Sequence, residues 1–271
     1  MAATTFPAAW AVPRRSFQRT LAIYAKEAKY ELLKNLRIPV YAISTVAFPL
    51  MFYVLFGIVL GRSDPDSAER ATYALATMGC FGVMAVALFG FGVSLAIERG
   101  QGWLQVKRAS PMPVSAYFGA KLFSAVVFST AIMLLLLTVG ILFGRVHVSF
   151  ATAAKLVGIL VAGSIPFSAM GLAIGYFAKP NSAPAVVNLI YLPMSFCSGL
   201  WIPLFLLPHG LQTLAKFLPP FHLSQLALNT VGLGVNPTPA WGHVEALLAF
   251  TLICLGFAAW GYRSDEGKTY G

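Results

Sequence analysis

The chain has 271 residues, of which 58% are hydrophobic and only 10% charged, with a formal net charge of +10. Its mean hydropathy is +0.75. A soluble domain carries roughly 25% charged residues, so this composition argues against a water-soluble enzyme, and charge-free blocks of about 20 residues match the hydrocarbon thickness of a bilayer.

Residues 1–15 are rich in Ala and Pro and show no periodicity. Residues 16–38 read as an amphipathic helix. Phe17, Leu21, Tyr24, Ala28 and Leu32 recur every three or four positions, with Arg19, Lys26, Glu27, Lys29 and Lys34 over much of the remainder. Such a helix lies along a membrane face, and a helix packed on a partner has the same pattern. These first 38 residues hold seven Lys or Arg and no long apolar run, unlike a cleaved signal.

The first apolar block is Pro39–Leu60, in which Pro49 predicts a kink. A polar loop with Asp64, Pro65 and Asp66 leads to the second block, Tyr73–Ile97. Its Gly79, Gly82, Gly90 and Gly92 suit close helix approach, and its length allows a tilt or a break. Residues 98–116 form the most distinctive polar segment. Glu98 and Arg99 open it, Gly100 and Gly102 flank a turn, and Trp103 to Arg108 follow before Pro111 and Pro113 end the element.

The third block, Leu122–Phe143, begins after Lys121. The fourth, Leu156–Ala178, carries Pro166 as an expected kink and a Gly171/Gly175 pair. The fifth, Ala183–Leu207, is interrupted by Asn188, Pro193, Gly199 and Pro203. It reads as one spanning helix followed by broken or re-entrant helices over about 200–230, a region holding Pro208, Gly210, Pro219 and Pro220. After Asn236, Pro237 and Pro239 comes the last block, Val244–Tyr262, then a polar tail. The predicted fold is therefore an all-α integral membrane protein of six transmembrane helices. An N-terminal amphipathic interfacial helix precedes them, and broken helices lie between the fifth and sixth.

Six crossings place both termini on one side. Cytoplasmic termini put 14 of the 19 basic residues inside, leaving Arg62, Arg70, Arg145, Lys155 and Lys216 outside. This bias selects the N-in, C-in orientation and accounts for most of the net charge without nucleic acid. The domain boundaries that follow are 1–38 for a cytoplasmic segment, 39–262 for the transmembrane domain and 263–271 for a cytoplasmic tail.

Recognised catalytic patterns are missing. Five residues separate Gly261 from Gly267-Lys268-Thr269, one too many for a phosphate-binding loop, and no strand precedes them. His147, His209, His222 and His243 form no metal-ligand spacing. Cys80, Cys197 and Cys254 sit in apolar blocks and read as small apolar fillers. Glu245 is expected near the interface, and the cores of the apolar blocks hold no ionisable residue of the kind that marks ion-coupled transport. A self-contained secondary transporter or an integral membrane enzyme is the alternative reading.

The order of motifs resembles the membrane subunit of an ABC-2-type transporter, a class of bacterial drug, polysaccharide and lipid exporters. The resemblance is carried by Glu98-Arg99-Gly100-Gln101-Gly102-Trp103-Leu104 after the second block and by Ser110-Pro111-Met112-Pro113. It is also carried by Ala120-Lys121, where Ala120 replaces the family's more usual glycine, and by Leu218-Pro219-Pro220-Phe221-His222 before the last block. It implies an elbow helix at the N-terminus and a coupling element formed by Glu98, Arg99, Gly100, Gly102, Trp103, Leu104, Val106, Lys107, Arg108 and Pro111. It further implies an outer gate or re-entrant region at Pro203, Pro219, Pro220 and His222. The resemblance also implies a second permease subunit, as homodimer or heterodimer, and two copies of a cytoplasmic ATP-binding-cassette subunit. ATP and Mg2+ would be bound there, with no cofactor in this chain, and the complex would sit in the bacterial inner membrane.

Overall fold

The computed structural model describes residues 17–60, 65–110, 112–234 and 238–265. Residues 1–15, Arg62, Asp64, Pro111, Asn236, Pro237 and the 266–271 tail lie outside the described residues, as does the Arg108 side chain. Among the described residues all regular structure is helical.

Helix α1 (Phe17–Leu36) leads into α2 (Pro39–Phe52), which continues as a π-helical segment, Tyr53–Val59. Pro49 cannot donate the backbone bond to Thr45, and the wider π turns begin four residues later, so the expected kink takes the form of a widened helix. Helix α3 (Ser67–Ala87), a second π segment (Leu88–Val93) and α4 (Ser94–Gly100) form one rod. The short α5 (Trp103–Ala109) precedes α6 (Val114–Phe143). Helices α7 (Phe150–Ala162) and α8 (Ser164–Phe177) meet at Gly163, placing the break three residues before Pro166. Then follow α9 (Ala183–Cys197), α10 (His209–Ala215), α11 (Pro219–Thr230) and α12 (Ala240–Asp265).

Five stretches are long and apolar enough to cross a membrane: Tyr41–Val59, Ser67–Gly100, Val114–Phe143, Phe150–Phe177 and Ala240–Asp265. The expected fifth span, Ala183–Leu207, is helical only over the 15 residues Ala183–Cys197. That is about 22 Å of helix, short of a hydrocarbon core of roughly 30 Å. The early stop has a local cause. Gly199 takes φ +78, its N–H donates to the Phe196 carbonyl and that of Leu200 donates to Ser195. This is a Schellman termination, which glycine permits.

The α3–α4 rod is the centre of the molecule, with α3 buried continuously from Ala74 to Ala87. Helices α2, α6, α7, α8 and α11 surround it. Gly171 and Gly175 of α8 press on the rod so closely that an added Cβ would lie 3.0 Å from the Ala87 and Gly92 carbonyls respectively. The small-residue pair is thus a true helix crossing. Helix α9 runs antiparallel beside the rod: Ala183 packs with Ala96, the Tyr191 hydroxyl donates to the Phe81 carbonyl at 3.1 Å, and the Tyr73 hydroxyl donates to that of Gly199 at 3.1 Å. Helix α11 is buried along most of its length, with Leu223 against Gly163 and the Cys80 thiol 3.7 Å from the Pro220 carbonyl. The three cysteines are free, as their apolar settings predict.

The outside of the bundle is apolar. Ile43, Phe48, Leu134, Leu142, Leu189, Leu252 and Ile253 are all exposed. Such a surface is intolerable in water and ordinary against lipid.

Candidate functional site

At one end of the bundle the rod terminates in Glu98, which four side chains converge on. Its Oε1 accepts from Lys34 Nζ (2.6 Å), Lys121 Nζ (3.1 Å) and Ser94 Oγ (3.0 Å), and its Oε2 accepts from the Tyr117 hydroxyl (2.5 Å). Glu31 of α1 completes the cluster, paired with Lys34 at 2.7 Å and with Lys121 at 3.0 Å. Two carboxylates and two ammonium groups balance. The balance is required, because Lys121 and Glu31 side chains are 1% and 5% exposed and an unpaired charge there would be strongly penalised. Burial works against the charge of Lys34, but Glu98 and Glu31 outweigh it and hold its pKa above the usual lysine value.

This cluster joins α1, α4 and α6. Asn35 Nδ2 donates to Ser124 Oγ at 3.0 Å one turn further along the α1–α6 seam, and Tyr24 and Ser115 hydroxyls meet at 2.6 Å. The α1 face that packs is therefore largely polar. Phe17 and Leu21 of its apolar stripe are exposed.

Arg99 faces the other way and holds the ends of α8 and α12. Its guanidinium donates to the Tyr176 carbonyl and, at 2.7 Å, to that of Ala178, and lies 3.5 Å from Asp265. A cation on the last carbonyls of a helix also suits its dipole. Gly100 is needed for space, since an added Cβ would sit 2.1 Å from Pro180 Cγ. Gly102 is needed for conformation: its φ is +75 and nothing lies within 4 Å of its would-be Cβ.

Beyond Gly102, α5 is docked by one side and bare on another. Leu104, 8% exposed, packs with Leu95, Tyr117, Tyr176 and Ala258. Lys107 pairs with Glu27 at 3.3 Å and lies over the Tyr117 ring, 4.4 Å from its centroid. Trp103 and Val106, one turn apart, are 55% and 61% exposed. Within the expected coupling element the apolar side chains are therefore split, with Leu104 inward and Trp103 and Val106 outward. Lys107 is engaged within the chain.

A model of the ABC-2 type transporter family matches residues 27–231, most of the chain, including Glu31, Lys34, Glu98, Arg99, α5 and Lys121. The chain belongs to the ABC-2 type transporter family. It is 26% identical over 248 residues to the "Putative transport permease YvfS" of Bacillus subtilis (strain 168), covering 90% of this chain and 98% of that protein. With its apolar helices, family membership makes it a multi-pass membrane protein and a transport permease.

At the other end of this permease, Pro203 precedes a 3-10 turn (Leu204–Leu206), and Pro219 and Pro220 form the buried first turn of α11. Proline suits that position because it lacks an N–H that would have no helical acceptor. His222 Nε2 lies 3.0 Å from the Lys216 carbonyl, which can only accept, so this nitrogen carries the proton. In the neutral pair, His243 Nδ1 then donates to His222 Nδ1 across 2.9 Å. Burial lowers the His222 pKa, against the raising effect of the Lys216 carbonyl. The pair latches α11 to α12. No group of three or more His, Cys, Asp or Glu able to hold a metal occurs among the described residues.

Sequence reasoning missed Glu31, Lys34, Ser94, Tyr117 and the buried role of Lys121. The third apolar block starts only at Leu122, whereas α6 begins at Val114 and so carries Lys121 within the helix. The available signal was the polar spacing of Glu31 and Asn35 on a helix otherwise read for its apolar stripe.

Proposed function

We propose that this chain is the membrane subunit of an ATP-binding-cassette exporter, in which α5 and its flanks receive the motion of a separate ATPase subunit. One observation carries the reading: α5 presents Trp103 and Val106 bare while Leu104 and Lys107 fix it to a corner that Glu98 and Arg99 tie to α1, α6, α8 and α12. A push on the bare face is then transmitted to helix ends rather than absorbed by a loop. Coupling needs such an element, whose position both ends can bias. ATP and Mg2+ belong to the partner, present in two copies, and a second permease subunit completes the pathway.

The reading includes six crossings, with α9 and the extended residues after it as the fifth. Chain parity supports this. Arg99 and Asp265 lie 3.5 Å apart, so an even number of passes separates them, and α6, α7–α8 and α12 alone give an odd one. Both termini are then cytoplasmic, residues 39–262 form the transmembrane unit between the cytoplasmic segments 1–38 and 263–271, and α1 lies along the inner face of the bacterial cell membrane. Helix α11 becomes a re-entrant element on the outer side. The substrate is amphipathic: lipid-like, drug-like or a glycan.

The test is reconstitution with a cognate ATP-binding-cassette subunit. A cysteine replacing Trp103 is expected to crosslink to that subunit, and ATP is expected to drive substrate efflux from liposomes. Absence of any complex with the ATPase sinks the reading.

A further inference from the structure

Helix α1 sorts its charges by sign. Glu27 pairs with Lys107 at 3.3 Å, Glu31 is buried against Lys121 at 3.0 Å, and Lys34 is held by Glu31 and Glu98. The remaining charges are all positive and all exposed: Arg19, Lys26, Lys29 and, directly after the helix, Arg37. None of these has an ion pair among the described residues, and the segment before α1 contains no Asp or Glu that could supply one. Lys26, Lys29 and the exposed Tyr30 lie one turn apart. Arg37, whose N–H still donates to the Leu33 carbonyl at 3.0 Å, falls on the same side two turns on. Contacts with α6 set the depth of this face. Helix α1 meets α6 at Tyr24–Ser115 (2.6 Å) and again at Asn35–Ser124 (3.0 Å), while the uncharged run of α6 begins at Leu122. Asn35 is therefore level with the edge of that run, and Tyr24 lies about 10 Å short of it. The polar layer of a bilayer is roughly 5–8 Å thick on each side, so Lys26, Lys29 and Arg37 stand at headgroup level. Leu36, Ile38 and Ile43, exposed in turn, carry an apolar surface from the end of α1 onto the first span.

From this arrangement we infer that the Lys26–Lys29–Arg37 face is a binding surface for anionic phospholipids, with their phosphates on the three cations and their acyl chains along α2. Arg37 can grip a phosphate through two N–H groups, and the lysines act as point charges beside it. Tyr30 suits the same layer, where aromatic rings with a polar tip collect. An acidic protein partner would match the charges and leave Leu36, Ile38 and Ile43 bare, whereas a phospholipid covers both. Lipid bound here holds α1 to the membrane and, through Glu31 and Lys34, braces the Glu98 corner. That the leaflet is the inner one rests on the topology proposed above; the binding itself does not.

The experiment is native mass spectrometry of the purified chain, without ATP, titrated with dioleoylphosphatidylglycerol or with the zwitterionic dioleoylphosphatidylcholine. The anionic lipid is expected to bind at least about tenfold more tightly. Combined Lys26→Gln, Lys29→Gln and Arg37→Gln is expected to bring the two lipids within about twofold of each other and to leave the unfolding temperature in detergent unchanged, because all three side chains are exposed. Lys29→Gln alone is expected to weaken phosphatidylglycerol binding several-fold. Lys155→Gln with Lys216→Gln, which removes positive charge from the other end of the bundle, is expected to leave the preference intact. Equal affinity of the unaltered chain for both lipids overturns the proposal, as does a preference that survives the triple substitution or falls equally with the Lys155 and Lys216 pair. A triple variant that keeps the lipid preference and loses the ATPase subunit would assign the face to a protein instead. Lipid preference in a chain that shows no ATP-driven efflux upholds the surface and counts only against the export reading.

Discussion

Glu98 is the residue on which the charged corner turns, because it is the acceptor shared by Lys34, Lys121, Ser94 and Tyr117. Replacing it with Gln keeps the shape and removes the charge, leaving two ammonium groups facing the single carboxylate of Glu31. Breaking a buried pair in this way costs about 3 kcal/mol, so Glu98→Gln is expected to lower the thermal unfolding temperature of the purified protein clearly. Removing Lys121 as well, as Met, restores a balanced Glu31–Lys34 pair and is expected to recover much of that loss. A double variant as unstable as the sum of the singles would show that the groups are not coupled. Glu98 and Arg99 were legible in the sequence as a conspicuous opposite-charge pair after an apolar block. Their partners were not: Lys34, Tyr176, Ala178 and Asp265 come from segments more than 60 residues away, Ser94 lies inside the second apolar block, and Tyr117 and Lys121 lie just ahead of the third.

For α5 the sequence supplied the boundaries and the structure supplied the facing. Gly102 and the prolines after Ser110 mark a short helix, but seven residues are too few for periodicity to say which side is docked. The split of Trp103 and Val106 from Leu104 yields separable outcomes. Leu104→Ala removes buried contacts and is expected to cost about 2–4 kcal/mol of stability. Trp103→Ala and Val106→Ala lie on an exposed face and are expected to change stability by less than about 0.5 kcal/mol, while lowering transport and the binding of the ATPase subunit. Unfolding curves and a pull-down on the same three variants decide it. Lost transport with intact stability and intact ATPase binding in Trp103→Ala would place the contact face elsewhere. A similar lesson holds for α9. Its apolar composition marked a span, while the Gly199 termination that stops it after 15 residues depends on a backbone conformation that a hydropathy pattern does not encode.

At the scale of the whole molecule, the general plan of apolar helices was legible from composition alone, since lipid imposes long uncharged runs on any chain that crosses it. The arrangement around the buried α3–α4 rod was not, since every apolar block looks alike to hydropathy. Sidedness is the testable consequence that joins the two. In the proposed topology the 14-to-5 distribution of basic residues favours the Glu98 corner inside, and chain parity through the Arg99–Asp265 contact favours α9 as a crossing despite its length. Single cysteines can separate these statements. Cys80 and Cys254 are buried and Cys197 is half-buried, so only Cys197 needs replacement by Ser beforehand. In intact cells an impermeant maleimide is expected to label cysteines at Phe205 and Trp241, both exposed, and to reach Trp103 and Lys179 only after permeabilisation. Full reversal of the pattern would keep six crossings and invert the orientation. Labelling of positions 179 and 205 from the same side would mean that α9 does not cross. Asp265 would then have to sit across the membrane from Arg99, in conflict with their 3.5 Å separation. The contact and the labelling experiment therefore test the same topology from independent directions.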